Sequence, residues 1–65
     1  MLEYPDDETL AHLDELLDLD DGLSDWEVQF VESMNHRRTC RWSYKQIVTV
    51  NRIWEARVVR RGYGT

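Results

Sequence analysis

The chain has a single cysteine, Cys40, so no internal disulfide can staple the fold. Without a second cysteine there is no CxxC pair either. His36 lies four residues before Cys40 and His12 is the remaining imidazole, which falls short of the four ligands in paired spacing of a closed zinc site. No run approaches the roughly 18 apolar residues that cross a bilayer, and the start lacks the basic-then-apolar order of a leader. These absences read as a cytoplasmic, unprocessed protein with no membrane partner, no metal and no cofactor. At 65 residues the chain has room for one core only, and a domain of that size buries about 60% of the surface its unfolded form exposes. A second domain is excluded.

The least evenly spread residues are the charged ones. Residues 1–33 contain no lysine or arginine but twelve carboxylates, a net of −12. Residues 34–65 contain all eight cations and one carboxylate, Glu55, a net of +7, which together give the −5 of the whole. Such asymmetry is the compositional cue for an acidic segment beside an anion-binding one. It is open to a second reading, in which the halves neutralise each other on the folded surface through ion pairs worth about 0–1 kcal/mol each.

What is present in quantity is helical patterning, and the expected fold class is all-α, a small three-helix bundle over residues 1–65. The first helix is expected at about 7–19, where Leu10, Leu13, Leu16 and Leu17 share a face and Asp6, Asp7 and Glu8 meet the positive end of the dipole. Asp20-Asp21-Gly22 stops it, Gly22 being free to take a left-handed conformation. Ser24-Asp25-Trp26-Glu27 is a capping box with Leu23 and Val28 as its staple, opening a second helix at about 24–36 with Trp26, Phe30, Val31 and Met34 inward. Ser43-Tyr44-Lys45-Gln46 is a second box, with Trp42 and Ile47 as staple, opening a third helix at about 44–59. That helix is expected to bury Tyr44, Ile47, Val48, Trp54 and Val58, with Asn51 in the seam. Ile47-Val48-Thr49-Val50 is β-branched enough for a strand, but the cap and the spacing over about four turns favour helix. Residues 60–65 read as a frayed tail. All three tryptophans, Trp26, Trp42 and Trp54, are expected in the core. Val50 and Ile53 fall outside this seam and would form a small exposed apolar patch suited to a weak homodimer, the alternative being a monomer.

Two surfaces are candidates for function. The turn His36-Arg37-Arg38-Thr39-Cys40-Arg41 is basic, and Lys45, Thr49, Arg52, Ala56 and Arg60 follow at spacings of 4, 3, 4 and 4, one stripe of a helix. Arg37, Arg38, Arg41, Lys45, Arg52 and Arg60 therefore make a candidate phosphate-binding ridge, salt-sensitive and tolerant of sequence. A sequence pI near 4.8 weighs against it, since a dedicated nucleic-acid domain usually exceeds about 9. The other surface is acidic: Glu8, Asp14, Glu15 and Asp18 would dock on a cationic protein surface or serve only to solubilise. No catalytic set is present. Cys40 lacks a positioned base, and three short helices hardly enclose the pocket that a carboxylate pair needs.

The string Leu23-Ser24-Asp25-Trp26-Glu27 with Phe30-Val31, a basic turn, then Trp42-Ser43-Tyr44-Lys45-Gln46 with Val50 and Ile53, resembles a family of small helical phage proteins, those encoded beside the UvsW helicase of T-even phages and similar modules attached to phage replication and recombination proteins. The likeness covers about residues 23–55. Trp42 departs from it, a leucine being usual there. The resemblance implies a compact accessory module working with host or phage DNA-processing proteins in the host cytoplasm. It implies no enzyme and no catalytic residues. The functional expectation is thus a non-enzymatic accessory or regulatory protein that binds phosphate backbone weakly; the alternative is an acidic module that docks on a host enzyme and inhibits or adapts it.

Overall fold

The structure, a computed structural model, describes residues 2–19 and 22–60. Among them the chain forms three helices in mutual contact: α1 (Asp7–Leu17), α2 (Asp25–His36) and α3 (Tyr44–Trp54). Helix α3 continues into a π-helical turn, Glu55–Val59. Helix α1 packs against both of the others. No described helix is long and apolar enough to cross a membrane.

Each helix starts where a side chain satisfies its first orphan N–H groups. Asp6 caps α1, its carboxylate accepting from the Thr9 N–H at 2.8 Å. Both capping boxes form reciprocally. The Ser24 and Ser43 hydroxyls accept from the N–H of Glu27 and Gln46 at 3.2 Å, and the Glu27 and Gln46 side chains accept from the serine N–H groups at 2.8 Å. Helix α1 ends two residues before the expected Leu19, and Gly22 takes φ 93° in the connection to α2. The Asp20-Asp21 part of that stop signal and residues 61–65 of the tail lie outside the described residues.

One element was not expected. Leu2–Glu3 (β1) pairs antiparallel with Trp42–Ser43 (β2), Leu2 opposite Ser43 and Glu3 opposite Trp42. The ribbon ties the start of the chain to the turn before α3. Its own hydrogen bonds are too few for independent stability; buried Trp42 and Pro5 anchor it.

The core consists of Leu13, Leu16, Val31, Met34, Trp42, Val50, Ile53 and Val58. Several sequence expectations are corrected here. Val50 and Ile53, expected as an exposed patch, are central to the core at 0% and 6% exposure, so the patch invoked for a homodimer does not exist. Tyr44, expected inside, is 72% exposed and Trp26 is 60% exposed, while Trp54, Ile47 and Val48 are half-buried. The inward stripe of α3 has Val50 and Ile53 buried, with half-buried Gln46 before them and half-buried Arg57 after them in the π-helical turn, rotated by about one residue from the expected seam. Two of its four members are polar, and this hid it. Helix α2 turns similarly, burying Glu27, Val31 and Met34 and leaving Trp26 to stack on half-buried Phe30 at 5.4 Å. On α1, Leu13 and Leu16 are buried, but Leu17 is exposed.

The π-helical turn has a packing reason. Its i to i+5 bond, from the Arg60 N–H to the Glu55 carbonyl at 2.9 Å, makes each residue advance by a smaller angle than in an α-helix. Val58 then lags back toward the buried side instead of passing beyond it, and it is 8% exposed.

Candidate nucleic-acid interface

The basic turn is a built structure. The Arg37 N–H donates to the Met34 carbonyl at 3.0 Å and the Cys40 N–H to the Arg37 carbonyl at 2.8 Å, so the chain coils tightly off the end of α2. From beneath, the fully buried Trp42 donates its indole N–H to the same Arg37 carbonyl at 2.8 Å. A carbonyl with two donors, one of them a core tryptophan, holds the turn in register with the core. Arg37, Thr39, Cys40 and Arg41 remain exposed on it.

The six cations expected to form the ridge divide into groups. Arg38 forms an ion pair with Asp14 of α1. Arg60 lies 3.9 Å from Glu55, a loose pair with both side chains mostly exposed. Arg37, Arg41, Lys45 and Arg52 are exposed and have no carboxylate within ion-pair distance among the described residues. The Arg41 guanidinium sits over the Tyr4 ring at 5.5 Å, a cation–π contact that orients it. Lys45 and Arg52 share the outward stripe of α3 with half-buried Thr49, whose hydroxyl donates to the Lys45 carbonyl at 2.6 Å. Further along, Arg52, Glu55, Ala56 and Arg60 line an open depression of about 320 Å³.

Residues that the sequence reading passed over explain why some charges are spent inside the protein. Arg57 grips Glu27 with two nitrogens, Nε at 3.2 Å and Nη2 at 2.9 Å. Glu27 is at once the acceptor of the α2 capping box and the partner of the π-helical turn. Burial alone would raise its carboxyl pKa, but the Ser24 N–H and the Arg57 guanidinium outweigh it and hold the group below the ordinary carboxylate value. The signal for Arg57 was its spacing, seven residues after Val50 and four after Ile53, on a stripe that must face inward if those two do.

The acidic candidates are similarly divided. Asp14 is paired with Arg38, and Glu15 accepts the Trp54 indole N–H at 2.8 Å. Glu8 and Asp18 stay exposed without an ion pair among the described residues. Around Glu15 a polar seam joins α1 to α3. His12 stacks on Trp54 at 3.6 Å, and its Nδ1 lies 2.6 Å from the Asn51 Oδ1. Asn51 donates its amide to Thr9 and to the Ile47 carbonyl, which leaves Oδ1 as the acceptor and places a proton on His12 Nδ1. Asn51 was expected in the seam; its partners were not legible.

No family model matches the chain, and no curated protein or solved structure matches it.

Proposed function

We propose that this chain is a small, non-enzymatic accessory module of phage type that binds single-stranded nucleic acid weakly along Arg37, Arg41, Lys45 and Arg52. One observation carries the reading. Were the two halves merely neutralising each other, the cations would be consumed by the acidic half, and among the described residues only Arg38 and Arg57 are. Arg60 pairs only loosely with Glu55 of its own half, and the other four, Arg37, Arg41, Lys45 and Arg52, are exposed on the turn and on the outward side of α3. Two exposed phenols accompany them, Tyr4 beneath Arg41 and Tyr44 next to Lys45 in the chain. Cations alternating with aromatic faces suit an unstacked strand, whose phosphates and bases are both accessible. The likeness of residues 23–55 to phage modules of DNA-processing systems supports the same class.

Fluorescence anisotropy with a labelled oligonucleotide tests the proposal. Four neutralised phosphates on a single strand give a slope of log K against log salt of about −3, hence an affinity loss of about 50-fold between 50 and 200 mM salt. The variant Arg37→Ala/Arg41→Ala/Lys45→Ala/Arg52→Ala abolishes binding, whereas Arg38→Ala, already paired to Asp14, weakens it little. Equal affinity of the wild type and the fourfold variant ends the reading.

A further inference from the structure

Helices α1 and α2 enclose a shallow apolar groove with none of those cations in its lining. Its floor is buried Leu16 and Val31; Leu17, Leu19, Leu23 and Val28 form its walls, with Glu32 at one side, around a space of about 90 Å³. Leu17 and Val28 are each 37% exposed, and Leu19 and Leu23 are half-buried. An opening of this size accepts one aliphatic side chain from outside, not a drug-sized ligand.

The charges that α1 and α2 place on and next to the groove's lining are carboxylates. Asp18 closes α1, Asp25 opens α2, and Glu32 lies on the groove itself; all three are exposed and in no ion pair among the described residues. No lysine or arginine is among the residues that line the groove. We propose that this groove docks a basic amphipathic helix of a partner protein, one aliphatic anchor entering between Leu17 and Val28 while lysines or arginines on either flank meet Asp18, Asp25 and Glu32. Charge complementarity selects that occupant, because the same three carboxylates repel nucleic acid and acidic or neutral helices gain nothing from them. A second copy of the chain fits poorly. Its cationic stripe carries Thr49 and Ala56 between the charges, and neither offers a large aliphatic anchor.

The test is a methyl-resolved NMR titration of the full chain with a synthetic helical peptide of about 18 residues, leucine on one face and lysine on the other. A scrambled peptide of the same composition and a leucine–glutamate peptide of the same pattern serve as controls. Saturable shifts centred on the Leu17, Leu23 and Val28 methyls are expected with the patterned lysine peptide only, the scrambled one binding at least about tenfold more weakly. Val28→Asp should weaken binding by about tenfold or more, with an unchanged far-ultraviolet spectrum because Val28 is already on the lip. Asp18→Asn/Glu32→Gln should weaken it and flatten its salt dependence without touching the apolar walls. The proposal is overturned by shifts that bypass the groove, by equal affinity for the scrambled or glutamate peptide, by indifference to Val28→Asp, or by a Val28-dependent dimer in sedimentation, which would make the groove a self-interface.

Discussion

Glu27 shows how much one side chain can be asked to hold. It satisfies the first turn of α2, pairs with the π-helical turn and is almost fully buried. Removing its charge leaves Arg57 facing a neutral amide, and loss of a hydrogen-bonded charge of this kind costs about 1–3 kcal/mol. Because its folded pKa is depressed, its contribution is present above the ordinary carboxylate range and is lost as the pH falls through the lower folded value. Glu27→Gln should therefore lower Tm most near neutral pH, and the gap to the wild type should close as the solution is acidified. Thermal unfolding followed by circular dichroism across that range checks the sign; a gap that widens in acid would refute the assignment.

At the scale of elements, capping boxes are the most local devices in the fold and the most legible. Four residues and two side chains are sufficient, so Ser24–Glu27 and Ser43–Gln46 are legible without any knowledge of the packing. Each cap is worth about 0.5–2 kcal/mol, a sizeable share of the roughly 3–5 kcal/mol that a core of this size supplies. Ser24→Ala and Ser43→Ala should each lower Tm by several degrees, about 4–8 °C for every kcal/mol lost in so small a domain. Unchanged melting curves for both would mean that packing alone fixes the helix starts. The rotation of α3 was less legible for a physical reason. Hydrophobicity at Tyr44 and Val48 favours turning them inward, but Val50 and Ile53 fill the core, and half-buried Gln46 and Arg57 share their stripe because their polar ends are satisfied by Ser43 and Glu27.

For the whole molecule, the two functional proposals occupy different surfaces with opposite charge. The exposed cations sit on the turn and on α3; the groove lies between α1 and α2. They share no residue, and separations beyond about one Debye length, roughly 8 Å at physiological salt, are largely screened. Arg37→Ala/Arg41→Ala should leave the peptide titration unchanged, and Val28→Asp should leave oligonucleotide anisotropy unchanged. Cross-effects of about tenfold would show that a single site serves both ligands.

Some of this was determined by the sequence alone: a single small domain, three helices with two of their starts, and the segregation of charge, because each depends on composition or on neighbours within one turn. Which cations remain available was decided by tertiary structure. Arg38 and Arg57 look like the others in the sequence and differ only in finding Asp14 and Glu27 across the fold. The same holds for Trp42 and Trp26, one fully buried and the other largely in water, since hydrophobicity says that a side chain gains from burial but only the packed helices say whether there is a place for it.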